Sequence, residues 1–200
     1  MLSFLRGAYG RALTPLARLL LRLGVSPTAV TVGGTVGVCA AALWFLPKGD
    51  LVLGVIVVGV LLLADGLDGT MARQGGRVTR FGAFLDSTAD RVADGAVFAG
   101  LVIWAAANAE PTILWLALAC LVFGFAVSYS RARGEAEGWE MAVGIFERSD
   151  RLVVAGAATL AVGLGAPSWV LAAGLAAVAA GSAVTVGQRV RAAWVASAGS

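Results

Sequence analysis

The sequence predicts an all-α integral membrane protein, six transmembrane helices preceded by an N-terminal amphipathic juxtamembrane helix. Three observations carry that reading. Of the 200 residues, 59% are hydrophobic and 14% charged, with a mean hydropathy of +0.87, far outside the range of a soluble domain. Apolar stretches of about twenty residues, the length that spans a bilayer as a helix, recur along the whole chain. The basic residues fall between and beside those stretches, and nearly all of them fall on one side of the implied topology.

The elements follow in order. In residues 1–24, Arg6, Arg11, Arg18 and Arg22 interrupt every leucine-rich run before it reaches spanning length. No small-residue cleavage site follows an uninterrupted apolar core, so a signal peptide is not expected. An interfacial amphipathic helix is, with Pro15 as a point where it can bend. The six-helix membrane domain covers 25–195 and opens at Ser26-Pro27, an N-cap followed by proline at the first helical position, with the first span running to about Phe45. Five more spans are expected at about 51–72, 83–107, 111–131, 151–166 and 168–189. Gly165-Ala166-Pro167-Ser168 is the turn that separates the last two, and residues 196–200 are expected to fray.

Six spans return both termini to one side. That side holds thirteen of the fifteen basic residues: Arg6, Arg11, Arg18, Arg22, Arg73, Arg77, Arg80, Arg131, Arg133, Arg148, Arg151, Arg189 and Arg191. The opposite turns contribute only Lys48, so the arginine-rich face is expected to be cytoplasmic. Topology and attraction to anionic membrane lipids account for much of this charge, and a nucleic-acid partner is not implied. Cys39 and Cys120 lie inside apolar segments without CxxC spacing and read as small core residues.

Against this background Asp65, Asp68, Asp86, Asp90 and Asp94 stand out. They fall where the second span ends and the third begins, and each charge deep in a bilayer costs roughly 2.5 to 3.5 kcal/mol. Asp65 and Asp68 are three residues apart, whereas Asp86, Asp90 and Asp94 step by four, so each set projects from one helix face, and the intervening turn can bring the faces together. Converging carboxylates repel unless divalent cations sit between them. The chain has no histidine, so any metal is held by oxygen, which selects Mg²⁺ or Mn²⁺ before zinc. Gly69 and Gly82 either leave room for a phosphorylated ligand or allow close helix packing.

The run Asp65-Gly-Leu-Asp68-Gly69-Thr-Met-Ala72-Arg73, eight residues, then Gly82-Ala-Phe-Leu-Asp86-Ser-Thr-Ala-Asp90 resembles the full signature of the CDP-alcohol phosphotransferases, with all eight fixed positions present. The resemblance implies six membrane helices behind a juxtamembrane helix and a homodimer. It implies two ions, one on Asp65, Asp68 and Asp86, the second on Asp65, Asp86 and Asp90, with Asp90 also the general base. It implies that Gly69, Arg73, Thr79 and the stretch Thr28, Ala29, Val30 and Thr31 contact the CDP-lipid. Asp94 lies outside the signature, and either a structural role, paired with Arg91, or contact with the acceptor is expected of it.

The acceptor is read from Arg131, Arg133, Arg148, Arg151 and Arg189, which lie at the same helix ends and suit an alcohol that carries its own phosphate. The segments Ser128-Tyr-Ser-Arg131-Ala-Arg133-Gly-Glu135, Phe146-Glu-Arg148-Ser-Asp-Arg151 and Gln188-Arg189 are similar to one branch of the family, the actinobacterial phosphatidylinositol phosphate synthases, which join CDP-diacylglycerol to inositol phosphate. Arg131 replaces the lysine expected in that branch. Two other readings are weighed: glycerol 3-phosphate as acceptor, and an ion transporter with an acidic intramembrane site. The second calls for carboxylates near mid-membrane and repeat symmetry, and the sequence offers neither.

Overall fold

The computed structural model describes residues 14–64, 66–75 and 79–198. Among these the chain is all-helical, with α1 at Pro27–Phe45, α2 at Leu51–Ala64, α3 at Gly66–Gln74, α4 at Arg80–Ala107, α5 at Pro111–Ala136, α6 at Arg148–Gly163 and α7 at Trp169–Ala198. Four stretches are long and apolar enough to cross a membrane: α1, the run Leu51–Gln74, α5 and α7. The other two expected spans are helical but differ in kind. Helix α4 has 28 residues and carries Asp86, Asp90, Arg91 and Asp94, whereas α6 has only 16 residues.

Polar residues set the helix ends. The Ser26 hydroxyl accepts from the Ala29 amide at 3.1 Å, the N-cap expected at the start of α1. The Thr79 side chain accepts from the Gly82 amide at 2.9 Å, so α4 begins at Arg80, ahead of the expected 83. Helix α6 opens at Arg148 and not 151, because the Asp150 carboxylate accepts from the Glu147 amide at 2.8 Å and stabilises the first turn. Helix α5 runs past its apolar part to Ala136, carrying the i,i+4 ion pairs Arg131–Glu135 and Arg133–Glu137 at its end. Residues 196–198 were expected to fray, but they are the last turn of α7. The turn before α7 is as expected, with Gly165 at φ +103°.

The core is a single apolar cluster from α1, α2 and α4 to α7, including Val38, Ala42, Phe98, Leu101, Cys120, Leu171 and Leu175. Small residues let the backbones approach: a Cβ on Gly100 would stand 2.7 Å from the Ala42 carbonyl oxygen, and one on Gly174 would stand 2.5 Å from Ala158 Cβ. Helices α1 and α4 run parallel, since Cys39 lies against Val92 near their middles and Ala42 against Gly100 further along both. Residues 14–22 are helical, with buried Ala17 and the partly buried Leu20 and Leu21 packed on Leu67 and Met71 of α3, while Arg18 and Arg22 stay exposed. The front of this amphipathic segment, 1–13, lies outside the described residues.

Candidate active site at the charged end of the bundle

Helix α3 carries Asp68 in its first turn, buried to 8% exposure. The Thr31 hydroxyl donates to one of its carboxylate oxygens and the Gly69 amide to the other. Among the described residues no arginine or lysine pairs with it. A buried carboxylate held only by neutral donors lacks a compensating charge, and a cation is the simplest way to supply one. Thr31 also fixes where this carboxylate sits, tying α3 to the first turns of α1, the helix that packs on α4 through the Cys39–Val92 and Ala42–Gly100 contacts.

Asp86, Asp90 and Asp94 climb α4 turn by turn from exposed, through half-buried, to buried. The Arg148 Nη1 group donates to one oxygen of Asp90 at 2.7 Å, and Arg91 Nη2 stands 3.4 Å from the other. Arg91 is steadied in turn by donating to the Ser128 hydroxyl of α5. Asp94 lies one turn deeper, with Arg148 Nε at 2.9 Å and Arg151 Nη2 at 3.5 Å. The expected partner of Asp94, Arg91, is therefore corrected to this pair. The first turn of α6 faces this side of α4 with two guanidiniums, while Arg91 points to α5.

Arg151 is the most enclosed of these cations. It is 1% exposed, yet its Nε and Nη1 groups are buried without a hydrogen-bond partner among the described residues. Gly124 of α5 lies against it, where a Cβ would stand in ordinary van der Waals contact with Nε at 3.6 Å. Arg189 is also buried but committed: its Nε donates to the Val143 carbonyl at 2.9 Å and its Nη1 to that of Val127. The structure does not draw Arg131 and Arg133 into this cluster. Both are exposed and paired with Glu135 and Glu137 on their own helix, contacts worth little in water.

Of the residues expected around a CDP-lipid, Thr28 and Ala29 are exposed at the start of α1, Val30 is half-buried beside the α3 cluster, and Thr31 turns inward to Asp68. Arg73 is exposed, with Nη2 3.3 Å from the Thr70 hydroxyl, and Thr79 caps α4. Among the described atoms, a Cβ on Gly69 would meet only the Arg73 guanidinium, at 3.5 Å, and one on Gly82 only the Thr79 hydroxyl, at 3.1 Å. Among the described residues no other helix packs on either glycine, which favours the ligand-space alternative over close packing.

Asp65, expected to be shared by both ions, lies outside the described residues, as does Arg77. Among the described residues no three candidate ligands stand close enough together to hold a metal, so the fit rests on the chemistry of Asp68, Asp86 and Asp90. These are all-oxygen donors, one of them buried without a charged partner, and they suit a hard divalent cation. Thr31 as the holder of Asp68, and Ser128 as the anchor of Arg91, are contacts that sequence spacing did not pair.

A helical membrane bundle that closes at one end on carboxylates and buried guanidiniums is the site of an enzyme acting on anionic, phosphorylated substrates. The chain belongs to the CDP-alcohol phosphatidyltransferase family, whose model matches residues 24–180. It is 47% identical over 195 residues to a phosphatidylinositol phosphate synthase of Streptomyces avermitilis, covering 94% of this chain and 80% of that protein. It is 44% identical over 190 residues to that of Mycolicibacterium smegmatis, covering 94% and 86%. The fold superposes on the crystal structure of Mycobacterium tuberculosis phosphatidylinositol phosphate synthase with CDP-DAG bound at a TM-score of 0.88 and 40% identity, covering 92% of this chain and 94% of that one. The same enzyme in complex with manganese and citrate gives a TM-score of 0.87, also at 40% identity, covering 91% and 88%.

Proposed function

We propose that this chain transfers the phosphatidyl group of CDP-diacylglycerol to inositol 1-phosphate, giving phosphatidylinositol phosphate and CMP. The observation that carries the acceptor is Arg151: a guanidinium 1% exposed, with two of its nitrogens unpartnered, beside Arg148 at the carboxylates of α4. An acceptor phosphate satisfies those donors in the bidentate manner that guanidinium favours. Arg189 completes the pocket from α7, and Arg131 and Arg133 form its positive rim.

Asp65, Asp68, Asp86 and Asp90 hold two divalent ions, Mg²⁺ or Mn²⁺. When bound, these neutralise the pyrophosphate of the lipid and make CMP a tolerable leaving group. The chain's own residues do the rest. Gly69, Arg73, Thr79 and the start of α1, Thr28 to Thr31, seat the CDP moiety. Asp90 takes the proton of the acceptor hydroxyl as its oxygen bonds to the β-phosphorus; the bond to the CMP oxygen breaks, and CMP carries away the electron pair. Arg148 and Arg91 orient the Asp90 carboxylate for that transfer.

The membrane domain, 25–195, crosses the cell membrane six times as a homodimer, with α4 and α6 supplying two of the crossings. Residues 1–24 lie along the interface, and both termini and the site face the cytoplasm. The test is CMP release by the purified protein in detergent with CDP-diacylglycerol, Mg²⁺ or Mn²⁺, and either inositol 1-phosphate or glycerol 3-phosphate. Turnover with inositol 1-phosphate that a chelator abolishes is expected. Turnover with glycerol 3-phosphate alone overturns the acceptor assignment.

A further inference from the structure

The connection 137–147 between α5 and α6 forms neither helix nor strand, yet its last residues are fastened side by side to α7. The Gln188 side-chain oxygen accepts from the Ile145 amide at 3.1 Å, and the Thr185 hydroxyl accepts from the Phe146 amide at 3.0 Å. Thr185 has a fixed sense, because its own proton goes to the Gly181 carbonyl at 2.9 Å, leaving a lone pair for Phe146. It is 0% exposed. Residues 185, 188 and 189 share one face of α7, so Arg189, gripping the Val143 carbonyl, is the third fastening of the same strip.

Two glycines make the fit close. Gly144 passes Thr185 at φ +137°, and a Cβ there would collide with the threonine methyl group; Gly181 lets the Phe146 ring lie on α7, where a Cβ would stand 2.8 Å from it. Two residues beyond Phe146, α6 begins at Arg148. The strip on α7 therefore sets the register of the turn that carries Arg148 to Asp90 and Asp94, and Arg151 to Asp94.

We propose that Thr185 and Gln188 are positioning residues for the acceptor: they touch no substrate, but hold the connection so that Arg148 and Arg151 meet the carboxylates of α4 in phosphate-binding geometry. This rests on the acceptor role given above to those arginines. Thr185→Val keeps the shape and removes the lone pair. KM for inositol 1-phosphate is expected to rise about tenfold, as for one lost hydrogen bond, while KM for CDP-diacylglycerol and the thermal midpoint in detergent hold and Thr185→Ser restores the acceptor KM.

In an Arg148→Ala background the same substitution is expected to raise the acceptor KM by less than it does alone, since only Arg151 is left to displace. An unchanged acceptor KM, a parallel rise for both substrates, or full additivity with Arg148→Ala overturns the proposal. If Thr185→Val does not fold, Gln188→Met is read by the same criteria. The unsubstituted protein is assayed first with inositol 1-phosphate and glycerol 3-phosphate. Should only the latter turn over, the inositol reading fails by itself, and the positioning role is judged on the KM of glycerol 3-phosphate.

Discussion

Two groups of glycines in this bundle serve opposite purposes. Away from the charges, glycines close space: Gly100 admits the Ala42 carbonyl, Gly174 admits Ala158, and a Cβ on Gly163 would stand 2.9 Å from the Val52 side chain. Beside the aspartate signature, Gly69 and Gly82 meet, among the described atoms, only a guanidinium tip and a capping hydroxyl, although Gly144 and Gly181 close space nearby. The first group holds helices together in a medium where apolar burial distinguishes nothing; the second leaves space beside the aspartate signature, which suits the proposed CDP-lipid. The contrast predicts that substitutions in the two groups change stability and activity separately.

Substitutions can break or sharpen that division. The largest effect is expected from Asp90→Asn, which removes the base without altering shape and should lower turnover about a thousandfold while CDP-diacylglycerol binding survives. An active variant removes Asp90 from the mechanism. Next, Arg151→Ala should raise the acceptor KM by about ten- to a hundredfold, the range for hydrogen bonds to a charged group, measured against an unchanged KM for the lipid substrate. Gly100→Ala should cost about 1 to 3 kcal/mol of stability, read as a lower thermal midpoint with turnover per folded molecule retained. Gly69→Ala should do the reverse, leaving the midpoint within about 0.5 kcal/mol and raising the KM for CDP-diacylglycerol. If both glycine variants change the same quantity, the two groups are not distinct.

Much of this was legible in the sequence because it is local. Ser26-Pro27 marked the start of α1 within one helical turn, and the period-four aspartates placed Asp86, Asp90 and Asp94 on one face of α4. Composition located the four stretches that are long and apolar enough to cross a membrane, and the helices α4 and α6 between them. It was blind to their ends, where caps and ion pairs rather than hydrophobicity decide, as at Thr79, Asp150 and Arg133. Contacts between distant segments were the least accessible. Nothing in spacing says that Thr31 turns to Asp68, that Arg91 prefers Ser128 to Asp94, or that α7 fastens the connection before Arg148. The arginines divided in the same way: sequence could group five at one membrane face, but only packing separates buried Arg151 and Arg189 from exposed Arg131 and Arg133.

The 16 residues of α6 have a consequence for the lipid around them. At 1.5 Å per residue this helix is about 24 Å long, some 6 Å short of a typical hydrocarbon core. Under the six-span topology proposed above, so short a helix is matched by a locally thinner bilayer, by snorkelling flanks or by association with other helices. On that topology, thinning beside α6 would shorten the path between a lipid-anchored donor and a water-soluble acceptor at the site.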